Sequence, residues 1–174
     1  MLTLVLGGAR SGKSAWAEAL FPTDAQVCYI ATARPYPGDT DFAARIKEHQ
    51  DRRPAHWVTE DELELCQALQ AGHEHVLIDD LGTWLTHRID AATAWELPRG
   101  TVTPDVDKLL GVLTETQNNV VVVTPEVGLG VIPETAAGRL FRDELGRLNA
   151  RVAELADKVV LVVAGIPLTL KSDS

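Results

Sequence analysis

Cysteine is scarce in this chain. Cys28 and Cys66 are its only two, both set in apolar surroundings, so neither a disulfide framework nor a cysteine-rich zinc cluster is available, and a reducing compartment fits. Phe, Trp and Tyr together make up 5% of the residues, which leaves aliphatic side chains to build the core. Positive charge is in deficit: 16 Lys and Arg stand against 25 Asp and Glu, for a formal charge of −9. That balance excludes general nucleic-acid binding, which needs a basic footprint to displace phosphate counterions. Long hydrophobic runs are missing as well. No stretch approaches the roughly 20 apolar residues that span a bilayer, and the short apolar start lacks the basic lead-in of a secretion signal, so a cytoplasmic protein is expected. His56, His73 and His75 have no acid or cysteine at metal-ligand spacing, and no zinc site is expected.

What is present is the balance of a globular domain. Hydrophobic residues make up 45% and charged residues 24% of 174, which predicts one domain over 1–174 with a core that needs no staples. Apolar runs rich in Val, Ile and Leu predict strands over 2–6, 27–31, 75–78, 120–124 and 159–163, with a short one over 168–171. Helical spacing predicts helices over 14–20, 42–52, 106–116 and 139–156, and one or two within 81–94. Near-continuous aliphatic strands are buried on both faces, as in a mostly parallel sheet with helices on either side. The fold class is therefore α/β. In the last helix Leu140, Phe141, Leu145, Leu148 and Val152 form one stripe, for the core or a subunit interface. Trp16, Trp57, Trp84 and Trp95 read as packing residues.

The turn after the first strand is the strongest signal. In GGARSGKS, Gly7 is followed four residues later by Gly12-Lys13-Ser14, a phosphate loop placed between a strand and a helix. Gly7, Gly8, Ala9, Arg10, Ser11 and Gly12 wrap the backbone so that its N–H groups meet phosphate oxygens. Lys13 reaches the β- and γ-phosphates, and the Ser14 hydroxyl holds Mg²⁺. This sharpens the fold to a phosphate-loop NTPase of the RecA-like type. The metal needs an acid, and VLIDD ends the third strand on the edge where α/β sheets bind ligands. Asp79 is the first choice, with Asp80 as the alternative or as a helix cap. Glu126 lies just past the fourth strand, where a carboxylate suits orienting or deprotonating an attacking hydroxyl, with a solvated loop acid as the equal alternative. On the 42–52 helix Arg45, His49 and Arg52 or Arg53 share a face; taken alone, that face reads as solvated.

More blocks follow in order: YIATARP, the R-I-x-x-H segment from Arg45 to Pro54 with Trp57 after it, the strand to Asp79 with TWLT, EVGLGVIP, GRLFRDELGRLN and VVAGIPLTLK. With these the chain, from Leu2 to Lys171, closely resembles the bifunctional adenosylcobinamide kinase/adenosylcobinamide-phosphate guanylyltransferase family of cobalamin biosynthesis. The resemblance implies that ATP or GTP phosphorylates the aminopropanol hydroxyl of adenosylcobinamide, a corrinoid. GMP from GTP then passes through a histidine to that phosphate, giving adenosylcobinamide-GDP. His49 occupies the position of the nucleophile. Gln50, Asp51, Arg52 and Arg53, with Thr32 and Ala33, fall at the nucleotide, and Asp61 falls where an acid reads guanine, with Glu60 and Glu62 beside it as substitutes. A homo-oligomer, a trimer, is also implied. Three positions depart from the family's pattern: Pro125 replaces Asn, His87 replaces Asn and Gly82 replaces Thr. The loss of an amide and a backbone donor at Pro125 puts the positioning of Glu126 in doubt. The competing readings are a single-activity phosphate-loop kinase and a non-catalytic GTP-binding module, and the blocks beyond the phosphate loop argue against both.

Overall fold

The aliphatic runs pair into one sheet. The computed structural model describes residues 1–33, 38, 40, 44, 47, 50, 51 and 53–172. Its strands are β1 (Leu2–Gly7), β2 (Val27–Ala31), β3 (Val58–Glu60), β4 (His75–Asp79), β5 (Asn119–Pro125), β6 (Lys158–Val163) and β7 (Ile166–Ser172). Between them lie α1 (Lys13–Glu18), α2 (Leu65–Leu69), α3 (Leu81–Ala91), α4 (Thr103–Glu115) and α5 (Ala136–Leu155). The strand order is β3-β2-β4-β5-β1-β6-β7. Every pair is parallel except β6 with β7, which turn back on each other antiparallel. The strand that leads into the phosphate loop, β1, is thus separated from the acid-bearing β4 by β5, as expected for the RecA-like type.

Alternation along the strands sends side chains into two cores. Leu2, Leu4 and Leu6 of β1 join α2, α3, α4 and α5 on one face. Val5 joins Ala17 of α1, Phe21, Tyr29 and Leu77 on the other. This is the helix-covered parallel sheet that the sequence predicts. Trp84 is buried, and Trp16, Trp57 and Trp95 pack partly buried against these cores. Cys28 and Cys66 are buried and unbridged, and burial pushes both thiols up to about 11. Among the described residues, no helix is long and apolar enough to cross a membrane.

The differences from expectation have local causes. Strand β3 has three residues and shows solvent two of them, Val58 and Thr59, so it lacks an apolar run. Helix α2 has five residues, less than two turns of periodicity. Helix α4 begins at Thr103 with Pro104 in its first turn, where proline's missing N–H costs nothing. Helix α5 begins at Ala136 because Thr135 caps it, its side chain accepting from Gly138 N at 3.1 Å. Strand β7 runs on both sides of the 168–171 segment. The helix expected over 42–52 lies largely outside the described residues.

Candidate active site

The parallel strands all end at one edge, and the sequence motifs follow those ends. At the end of β1, Gly7 is buried between neighbours. A Cβ there would lie 2.9 Å from Val162 O, so only glycine fits. Arg10 and Gly12 take left-handed φ angles of 55° and 88°, a conformation that favours glycine at the second position. The loop closes through Ser11 N to Gly8 O at 3.3 Å and Lys13 N to Ser11 Oγ at 3.4 Å. Lys13 Nζ bends back to Gly8 O at 3.4 Å, across the loop that would hold a phosphate. A second turn braces it from below. Ala164 and Gly165, both with positive φ, join β6 to β7, and Gly165 N donates to Ser11 O at 2.8 Å. Both glycine and alanine there serve the hairpin geometry. Sequence reading missed this brace, although an Ala-Gly turn between apolar strands is a hairpin signal.

At the end of β4 the two aspartates divide. Asp80 caps α3, its Oδ1 accepting from Thr83 N at 2.8 Å and Thr83 Oγ1 at 3.1 Å. Asp79 is buried, and its Oδ2 accepts from Tyr29 Oη at 2.6 Å. Thr32 clamps the link between them. Its Oγ1 donates to Asp80 O at 2.7 Å and accepts from Asp80 N at 2.8 Å, while its N donates to Asp79 O at 3.2 Å. Burial and the neighbouring Asp79 charge raise the Asp80 carboxyl above the usual carboxylate range, against the pull of Thr83 and Lys13. Lys13 therefore acts electrostatically on Asp80. Burial and Asp79 likewise raise the Tyr29 phenol, which keeps it a proton donor to Asp79.

Tyr29 connects this acid to the segment that leads from Arg53 into β3. The Arg53 guanidinium stacks 3.5 Å from the Tyr29 ring centroid. Arg53 Nη1 donates to Thr59 Oγ1 at 3.1 Å, and its buried Nε has no hydrogen-bond partner among the described residues. Gln50 and Asp51 are exposed, Ala33 is half-buried, and Asp61 is exposed just past β3. His49 and Arg52 lie outside the described residues.

Pro125 does not disturb its neighbour in the way the sequence suggests. Glu126 N still donates to Gly7 O at 3.0 Å, so N–H groups alternate and the one missing at Pro125 faces β4. There the register has already ended, at Asp79 with Val123. Asn149 of α5 holds the strand end, donating through Nδ2 to Pro125 O at 3.1 Å and accepting from Thr124 Oγ1 at 2.7 Å. Half-buried Glu126 is thereby fixed beside the phosphate loop, its Oε1 accepting from Gly128 N. The structure thus gathers the phosphate loop, Thr32, Asp79, Asp80 and Glu126 on one edge.

The oxygen donors also suit a magnesium ion. Among the described residues no three His, Cys, Asp or Glu side chains cluster as a metal cage. Mg²⁺ needs none, since it binds through one or two carboxylates together with phosphate oxygens and water. The crowded charge of Asp79 and Asp80 is what a cation would relieve, and Ser14, the second residue of α1, offers a hard hydroxyl.

The chain is similar over nearly its whole length to known proteins. The model of the family described as cobinamide kinase / cobinamide phosphate guanyltransferase matches residues 3–170. The bifunctional adenosylcobalamin biosynthesis protein CobU of Salmonella typhimurium is 39% identical, over 98% of this chain and all of its own length. CobP of Pseudomonas aeruginosa is 39% identical over 99% of both chains. Among solved structures, an ATPase of a bacterial type III secretion system superposes with a TM-score of 0.59 at 10% identity, covering 97% of this chain and 56% of that one; this likeness concerns the fold alone. With a family match from the first strand to the last, the chain belongs to the CobU family of cobinamide kinases and cobinamide phosphate guanyltransferases.

Proposed function

We propose that this protein phosphorylates adenosylcobinamide with ATP or GTP and then transfers GMP from GTP to the resulting phosphate. The observation that carries the reading is the meeting of phosphate loop, acid pair and Glu126 on one sheet edge in a chain of this family. In the first reaction the loop N–H groups and Lys13 hold the nucleotide phosphates in line with the acceptor. The acceptor hydroxyl oxygen bonds to the γ-phosphorus, its proton passes to Glu126, and the nucleoside diphosphate leaves. Bound through Ser14 and Asp79, Mg²⁺ would neutralise charge on the phosphate oxygens. In the second reaction a neutral His49 nitrogen bonds to the α-phosphorus of GTP and pyrophosphate leaves. An oxygen of the cobinamide phosphate then displaces His49, giving adenosylcobinamide-GDP. Arg53, with Gln50, Asp51 and Arg52, serves the guanylyl donor, Thr32 and Ala33 border the nucleotide, and Asp61 reads the guanine. The reading extends to a cytoplasmic homo-oligomer, a trimer, with no nucleic-acid partner.

GTP labelled at the α-phosphate tests the reading. With Mg²⁺ the protein is expected to take up acid-labile, base-stable label, the signature of a nitrogen–phosphorus bond. His49→Ala abolishes uptake and leaves GTP binding intact, Lys13→Ala and Asp79→Ala abolish turnover, and adenosylcobinamide phosphate discharges the label. Absence of covalent label from the parent protein would leave a plain kinase or a binding module.

A further inference from the structure

Strand β5 lies between β4, which carries Asp79, and β1, which carries the phosphate loop. The chain that follows β5 therefore leaves the sheet between the two halves of the site. Its first residue, Glu126, is pinned there by its N–H on Gly7 O. The next residues are apolar and turned outward. Val127 is 37% exposed, Leu129 85%, Val131 94% and Ile132 67%. A single exposed leucine is ordinary, but four large aliphatics in six residues beside a reaction edge form a surface that water does not favour.

The loop is held at both ends. Gly128 N donates to Glu126 Oε1 at its start. At its end Arg139 Nη1 donates to Pro133 O at 2.9 Å and Glu134 O at 2.6 Å. Pro133 also packs on Gly138, where a Cβ would lie 2.9 Å from Pro133 Cβ. The aliphatics between these anchors are presented outward by a tethered segment.

We infer that the loop from Val127 to Ile132 is the seat of the corrin macrocycle of the acceptor. This rests on the cobinamide reading above. The reacting hydroxyl lies at the end of an arm, and it must reach the γ-phosphate at Lys13 while the macrocycle, too broad for a phosphate loop, stays outside. A corrin rim carries methyl groups between its amide arms, so Leu129, Val131 and Ile132 meet apolar surface and the open backbone at Gly130 meets amides. Glu126 then stands at the foot of the seat, where the arm delivers its hydroxyl. Both reactions use the same arm, so one seat serves cobinamide and its phosphate.

The test is the double variant Leu129→Ser with Val131→Ser, two side chains with almost no protein contacts to lose. Its KM for cobinamide is expected to rise about tenfold or more, the loss of apolar burial from two aliphatics. Its KM for nucleotide and its rate of covalent GMP labelling stay at parental values. A cobinamide KM within about twofold of the parent overturns the seat. The seat also falls if a variant that splits the oligomer at a surface remote from the loop shows the same rise in KM, since the loop is then a subunit contact. Failure of the parent protein itself to phosphorylate cobinamide would instead strike the function from which the seat follows, and is read separately.

Discussion

Tyr29 shows how much one hydroxyl carries here. It comes from the middle of a core strand, is 1% exposed, and spends its only donor on Asp79 at 2.6 Å. Its ring meanwhile supports the Arg53 guanidinium. The same side chain thus fixes the acid proposed for the metal and an arginine proposed for the guanylyl donor. Tyr29→Phe keeps the ring and removes the bond. The variant is expected to lose about 1–3 kcal/mol of stability in urea titration, the cost of removing a hydrogen bond to a buried carboxylate. It is also expected to need several-fold more Mg²⁺ for half-maximal turnover in both reactions. A lowered stability with an unchanged Mg²⁺ requirement would make Tyr29 a packing residue alone.

At the scale of elements, Gly82 and Pro125 form one unit. Helix α3 begins against the end of β5, and a Cβ on Gly82 would lie 2.6 Å from Pro125 Cγ. A proline ring has little room to move aside. Glycine at 82 and proline at 125 therefore form one steric exchange across the α3–β5 contact. Gly82→Ala is expected to destabilise by about 1–2 kcal/mol, overpacking outweighing the gain of about 1 kcal/mol in helix propensity. In the Pro125→Asn background the same change is expected to be neutral or stabilising. The difference is a coupling energy readable from a double-mutant cycle by urea denaturation; additive effects would refute the exchange. Neither partner's role was visible from sequence, where Pro125 reads as a threat to Glu126, because the compensating contact lies 43 residues away in the chain. Legibility follows the same rule elsewhere. The phosphate loop and the long aliphatic strands are local patterns and were readable as such. Tyr29, Asn149 and Gly165 act through hydrogen bonds across the sheet, and β3 and α2 are too short to carry a period.

Of the two strands at the edges of the sheet, β3 has three residues and β7 has seven. Strand β7 is the last in the sheet, and its outer edge pairs with no strand among the described residues. Natural proteins blunt such an edge with charge, proline or a cover. Here Ile166, Leu168 and Leu170 are 70%, 57% and 57% exposed, and Val163 on β6 is 58% exposed. Pro167 and Lys171 blunt the strand only in part. A second copy is the occupant that an oligomer supplies, and covering these aliphatics would stabilise it through burial of apolar surface at about 25 cal/mol per Å². The turn that begins β7 carries Gly165, whose N–H braces Ser11 of the phosphate loop. Assembly on β7 would therefore steady the strand that supports the nucleotide site. In sedimentation velocity the parent protein is expected to run as a trimer, and Leu168→Glu with Leu170→Glu as a single folded chain. The separated chain is expected to keep GTP-dependent labelling at His49 with a weakened affinity for nucleotide, because the brace on Ser11 has lost its support. A parent that sediments as a monomer would refute assembly on this edge. A variant that stays trimeric would place the contact on another surface, the half-buried flank of α5 being the next to alter.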